Sequence, residues 1–160
     1  KVQYTNLLTD NEGNNGPNLS SLLKNFKKYV QKNIIGGNDI VSGNKGKDNL
    51  WGYSGNDKIS GGSGNDILNG GNGNDLLVGG KGKDKLIGGK GKDIFKLSKG
   101  KGFDLIQDFK NKQDKIFIGS MKKLKLKNKG KHVYIYKGKD LLAKVKGAKG
   151  DLSKKGKYFV

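Results

Sequence analysis

The chain has 160 residues, of which 32% are hydrophobic, no cysteine, and a formal net charge of +19, with a mean hydropathy of −0.74. That length suits one domain or a repeat segment with a small cap at each end, and the polarity is too high for an ordinary apolar core, so bound ions are expected to supply part of the stability. Disulfides and thiolate metal sites are excluded, which fits a protein exported before it folds, and no run of about 18 apolar residues exists to span a membrane.

The opening at Lys1, without methionine or a signal-peptide pattern, reads as a mature product or an excised segment. Residues 1–33 form the first region. Tyr4 to Asn18 is polar, contains Gly13, Gly16 and Pro17, and reads as loop or linker. Asn18 or Ser20 is placed to cap a helix running to about Lys32, with Leu19, Leu22, Leu23, Phe26 and Val30 on one face. Its expected role is to cover the open end of the repeat stack that follows. Lying on an anionic membrane is the alternative.

From 34 to 96 the chain repeats every nine residues, and each unit carries one aspartate: Asp39, Asp48, Asp57, Asp66, Asp75, Asp84 and Asp93. The clearest units, Gly61 to Asn69 and Gly70 to Val78, read G-G-x-G-x-D-x-U-x with U a large aliphatic residue. The glycines permit φ > 0 and tight turns with exposed carbonyls. The x-U-x triplets supply Val41, Leu50, Ile59, Leu68, Leu77, Leu86 and Phe95, one inward anchor per short strand. Such strands are stable only when stacked on neighbours.

Two nonapeptides per turn place residues 18 apart above one another, so that Asp39, Asp57, Asp75 and Asp93 line one edge and Asp48, Asp66 and Asp84 the other. Carboxylates stacked about 4.8 Å apart repel. A hard divalent cation between turns removes that repulsion and takes carboxylate and carbonyl oxygens as ligands.

With those residues in view, residues 36–96 resemble the repeats-in-toxin (RTX, haemolysin-type) family of secreted calcium-binding proteins. The resemblance implies an all-β fold, a parallel β-roll of calcium-binding repeats, here with an N-terminal capping helix and a C-terminal antiparallel strand cap. It implies several bound Ca2+ ions, held by the seven aspartates together with loop carbonyls, which correspond to Gly46, Gly55, Gly64, Gly73 and Gly82. Calcium is expected between Asp48 and Asp66 and between Asp57 and Asp75. Ile34 and Ile35 replace the leading glycine pair of the first unit, and Gly43-Asn44 and Gly52-Tyr53 lack the second glycine. After the repeats, Gly102 to Phe109 and Asp114-Lys115-Ile116 resemble the G-x-D-x-I-x-D-F…D-x-I stretch of the family. By that resemblance Asp104 and Asp108 bind a further calcium at the end of the roll.

Residues 97–160 form the last region. All thirty-three basic residues are lysines, and this region alone carries +14, against +2 for 1–42 and +3 for 43–96. Leu124 to Lys127, His132 to Tyr136 and Leu141 to Lys146 alternate as half-buried strands do, with turns at Asn128-Lys129-Gly130 and Lys137-Gly138-Lys139. Lys125, Lys127, Lys144 and Lys146 then share one exposed sheet face. With Lys122, Lys123, Lys129 and Lys131 they form a candidate surface for a polyanion. A lysine-rich coding bias on solvated positions, or an edge protected from aggregation, explains the same residues. The absence of arginine argues against sequence-specific nucleic-acid binding, because lysine is a point charge and arginine the bidentate fork.

Asp151-Leu152-Ser153 and the terminal Tyr158-Phe159-Val160 resemble the ends of secreted RTX proteins and of the R-modules of bacterial alginate epimerases, which bind calcium and an anionic polysaccharide. The final tripeptide also resembles the recognition end of type I secretion substrates, although Lys157 stands where an acidic residue usually precedes it. A last strand pairing with the cap explains it equally. Catalysis finds no residues: His132, the only histidine, lies in a strand-like run without a serine elbow, zincin helix or phosphate loop. The leading reading is a secreted, bacterial, extracellular, non-catalytic module that folds on binding calcium. The alternatives are a calcium-folded targeting module for an alginate-like polysaccharide within a larger secreted enzyme, and a self-assembling subunit of an extracellular layer or filament.

Overall fold

The structure, a computed structural model, describes residues 36–98, 102–119, 123–148, 152–155 and 157–160. The linker and helix expected before residue 34 lie outside the described residues. Among those described there is no helix, and fourteen strands form two seven-stranded sheets.

Strands β1 (Ile40–Ser42), β3 (Lys58–Ser63), β5 (Leu76–Lys81), β7 (Ile94–Lys96) and β9 (Lys115–Phe117) stack in parallel as one sheet. The intervening β2 (Asn49–Trp51), β4 (Ile67–Asn72), β6 (Lys85–Lys90) and β8 (Asp104–Ile106) stack in parallel as the other. The chain crosses between sheets at every glycine loop, so each pair of nonapeptides makes one coil. Within the repeats the register is 18 residues throughout, as in Ile59 beside Leu77 and Leu68 beside Leu86.

Between the sheets lie the aliphatic anchors. Ile59, Leu68, Leu77, Leu86 and Phe95 are fully buried, and Ile106 and Ile116 continue the two inner rows. Four strands are longer than the expected triplet: β3 to β6 each have six residues, because the glycine pair also joins the parallel ladder, with Gly62 beside Gly80 and Gly71 beside Gly89. Parallel stacking also runs past Lys96. β8 adds to the β6 side and β9 to the β7 side, so the change of sequence pattern at that point is not a break in either sheet.

The remaining strands close the roll. An antiparallel meander, β10 (Leu124–Lys129), β11 (His132–Lys137) and β12 (Asp140–Lys146), joins the second sheet through a parallel β12–β8 pair. A bulge shifts the register between Ile135 and Tyr136. It allows both Leu142 and Ala143 to be buried where strict alternation would expose one of them. A short hairpin, β13 (Lys154–Lys155) with β14 (Tyr158–Phe159), joins the first sheet through antiparallel pairing of β14 with β9. Phe159 is thereby buried, so the C-terminal residues serve as a last cap strand.

Candidate metal centres along the two edges

Each glycine loop ends in its aspartate, and the coil sets these aspartates in two columns. Oδ1 of every aspartate from Asp57 to Asp93 accepts the backbone N–H of the aspartate one turn earlier: Asp57 from Asp39 at 2.8 Å, Asp75 from Asp57 at 2.8 Å and Asp93 from Asp75 at 3.0 Å. On the other edge Asp66 accepts from Asp48 at 2.9 Å and Asp84 from Asp66 at 2.8 Å. The aspartates therefore do structural work before any ion is considered.

That leaves Oδ2. In Asp39, Asp48, Asp57, Asp66, Asp75, Asp84 and Asp93 this oxygen is buried and accepts no hydrogen bond. A buried, unpaired carboxylate oxygen is costly, and seven in register fit a common cationic partner better than seven defects. The first glycine of each loop leaves room for it. A Cβ on Gly61 would lie 2.4 Å from Asp66 Oδ2 and 2.6 Å from the Gly79 carbonyl oxygen, and one on Gly70 would lie 2.2 Å from Asp75 Oδ2 and 2.7 Å from that of Gly88. One carboxylate oxygen and a carbonyl of the next turn thus border the same space.

The carbonyls of Gly46, Gly55, Gly64, Gly73 and Gly82 line the loops as well, each facing the glycine one turn on. No group of three or more acidic, histidine or cysteine side chains gathers among the described residues. The donors are instead one carboxylate per loop plus main-chain oxygens. That all-oxygen set fits a hard cation such as calcium and suits neither zinc nor copper.

Burial holds these carboxyls above their ordinary range. It is the first cause at Asp57, Asp66, Asp75, Asp84 and Asp114, opposed in each by the accepted backbone N–H. Asp93 is pushed up to about 6 by burial, with the charges of Asp114, Asp75 and Asp108 adding to it. Asp104 is pushed up to about 8 by burial and then by the Asp84 charge. When bound, a divalent cation supplies the positive charge that lets these groups ionise together.

The structure does not bring Asp104 and Asp108 together. Asp104 continues the column of Asp48, Asp66 and Asp84. Asp108 lies on the opposite edge, where its two oxygens accept the N–H groups of Gly88 at 2.9 Å and Gly89 at 2.8 Å.

Two groups of residues join the ladders in a way the sequence pattern does not assign. Asp114 extends the Asp93 column, accepting the Asp93 N–H at 3.1 Å, although it stands 21 residues on and not 18. Asn38, Asn56, Asn65 and Asn74 form a second ladder of opposite sense. Each Oδ1 accepts the N–H 18 residues later, at 2.7 Å for Asn56, 2.7 Å for Asn74, 2.9 Å for Lys83 and 2.7 Å for Lys92. Their signal was the recurring asparagine before aspartate.

Of the lysines, Lys122 lies outside the described residues, and Lys123 and Lys131 are exposed in turns. Lys125, Lys127 and Lys129 of β10 share the outer face with His132, Tyr134 and Tyr136 of β11 and with Lys144 and Lys146 of β12. The lysines flank the rings. Lys127 Nζ is 5.3 Å from the Tyr136 centroid, and those of Lys129 and Lys144 are 5.7 and 5.6 Å from that of Tyr134.

The parallel coil, its glycine loops and its two columns of half-satisfied aspartates define a calcium-binding β-roll module. Residues 35–68, 61–95 and 69–106 match the family model of the RTX calcium-binding nonapeptide repeat, and this segment of the chain belongs to that family. Such repeats bind Ca2+, several ions per array, and the roll they build is a structural calcium-binding domain and not a catalytic family. No curated protein matches the chain.

Proposed function

We propose that this is a secreted, non-catalytic module whose roll folds on meeting extracellular calcium, with Oδ2 of Asp39, Asp48, Asp57, Asp66, Asp75, Asp84 and Asp93 and the carbonyls of Gly46, Gly55, Gly64, Gly73 and Gly82 as ligands. The observation that carries it is the register of buried Oδ2 atoms without a hydrogen bond. In this reading the repeats are the metal-binding segment and the strands after them the cap. Export before folding is supported by the absence of cysteine. RTX repeat proteins are typically secreted.

The test is a calcium titration followed by circular dichroism. Folding is expected with a midpoint at about 10⁻⁴–10⁻³ M, the range of extracellular modules. Asp75→Asn retains an Oδ1 to accept the Asp57 N–H but loses the charge, whereas Asp75→Ala loses both. The midpoint should rise several-fold in Asp75→Asn and further in Asp75→Ala. A midpoint unmoved by Asp75→Asn would sink the ligand assignment, and a submicromolar wild-type midpoint would sink the extracellular one.

A second reading is favoured by one observation, the interleaving of lysine ammonium groups with Tyr134 and Tyr136 on the outer face of the cap. Solvent protection alone calls for lysines and not for rings between them. Tyrosine faces suit the C–H face of a sugar ring while neighbouring ammonium groups meet its carboxylates, so the partner class is an acidic polysaccharide. Retention of the calcium-folded protein on immobilised alginate is expected to fall in Tyr134→Ala and in the combined Lys127→Gln/Lys144→Gln variant. Wild-type retention in both, at equal salt, rejects this reading.

A further inference from the structure

The outer face of the cap continues onto the roll. The parallel β12–β8 pair sets Lys144 beside Leu105, and the register of β8, β6 and β4 carries the same cross-strand row through Lys85 to Ile67. In the other direction the row passes through Tyr134 to Lys127 on the edge strand β10. From the repeats outward it therefore runs Ile67, Lys85, Leu105, Lys144, Tyr134, Lys127. An apolar or ring-bearing side chain alternates with an ammonium group over six adjacent strands.

Three different stretches of chain supply this row: the repeats, the segment after them and the antiparallel meander. Ile67, Lys85, Leu105 and Lys144 each stand one residue before a buried anchor, namely Leu68, Leu86, Ile106 and Val145, and Tyr134 stands between buried Val133 and Ile135. Pleating therefore turns them away from the core. The parallel row on the same face holds Trp51, Asn69 and Ile87 on the roll and Lys146, His132 and Lys129 on the cap. Neither row contains an acidic residue. The aspartates that precede these strands, Asp66, Asp84 and Asp104, are buried at the loops. On the other sheet the equivalent row reads Ile40, Lys58, Leu76, Ile94, Lys115, with two apolar residues between its lysines, so the strict alternation belongs to one face.

We propose that this row is a track for an extended uronate polysaccharide that lies across the strands, along the axis of the roll. The proposal rests on the acidic-polysaccharide reading of the cap and lengthens that contact from three strands to six. Lys85, Lys144 and Lys127 recur at every second strand, about 10 Å apart. In a polysaccharide whose successive units turn to opposite sides, carboxylates reach one side at every second sugar, which suits that spacing. Each such carboxylate meets an ammonium group, and the sugar faces between them rest on Tyr134, Leu105 and Ile67. Because the row exists only while the coils are stacked, the calcium that folds the roll also assembles the track.

Calorimetric titration with size-fractionated alginate oligosaccharides, in calcium just sufficient to fold the protein, tests the length of the contact. Affinity is expected to rise until the oligomer spans Ile67 to Lys127, five strand spacings or about 24 Å. A contact confined to β10–β12 stops gaining at about 10 Å. Lys85→Gln and Ile67→Ala, both on the repeats, should each weaken the long oligomer several-fold and leave unchanged a short one that covers only the cap. Lys58→Gln, on the other sheet, should leave both unchanged. Circular dichroism in calcium establishes that each variant is folded. Affinity that stops rising at the cap length, or long-oligomer binding indifferent to both repeat variants, overturns the track and leaves the cap reading standing. Equal losses in Lys85→Gln and Lys58→Gln reduce the effect to overall charge and also overturn it. A wild type that binds no length of oligomer overturns both readings.

Discussion

Removing calcium with excess chelator is expected to dissolve the roll, replacing its β-sheet circular dichroism with that of a largely unordered chain. Only one aliphatic side chain is buried per nonapeptide, the rest being glycine, polar residues and aspartates whose Oδ2 atoms lie buried without partners. Ligand binding is therefore folding free energy in this chain. The effect has a pH signature. Asp93 in the metal-free fold holds its proton up to about 6, above the unfolded value of about 4, so the fold binds protons more tightly than the unfolded chain. Stability without metal is then full below about pH 4 and is lost as the pH rises through about 6, with Asp104 adding a further loss towards about 8. In calcium the sign reverses, since protons compete with metal for the same oxygens, and acidification lowers the affinity. Spectra in chelator that match those in calcium at pH 8, or that improve as the pH rises, contradict this account.

Gly73→Ala is expected to be among the most damaging single methyl groups in the roll. Its Cβ would stand 1.8 Å from the Gly55 carbonyl oxygen and 2.6 Å from the carbonyl carbon, both backbone atoms of the preceding turn, at a φ of +131°. Relief requires two coils to separate at a metal-binding loop. Gly46→Ala is the control. It has a similar φ of +120° but meets none of the described atoms within 4 Å. The control should cost about 1–2 kcal/mol from conformation alone, and Gly73→Ala more than about 4 kcal/mol, in the range reserved for severe steric lesions. Denaturant unfolding in saturating calcium compares them. Equal losses would mean that the close carbonyl stacking does not govern stability.

Much of this was legible because the period is strict. Asp57 and Ile59 recur at Asp75 and Leu77, and a two-repeat coil fixes both the columns and the inner rows from spacing alone. The cap strands were legible from alternation at Leu124, His132 and Leu141. The hidden parts are those where spacing is interrupted. Asp84 to Asp104 spans 20 residues and Asp93 to Asp114 spans 21, so Asp104 and Asp108, neighbours in sequence, fall on opposite edges. The opposed senses of the aspartate and asparagine ladders depend on side-chain direction, which a residue pattern does not encode. The bulge beside Ile135 was similarly silent, since Leu142 and Ala143 are both apolar and either one satisfies alternation.

The alternation of loops between two edges gives the roll a parity. Because partners within the repeats are 18 residues apart, deleting or adding two nonapeptides keeps every later strand in its own sheet. A change of a single nonapeptide exchanges the sheets for everything downstream. β8 would then be delivered to the sheet that now holds β9, and the lysine–tyrosine face that reaches the roll through the β12–β8 pair would be carried to its other side. Length in this architecture is quantised in whole coils, and the half-coil is a switch of facing.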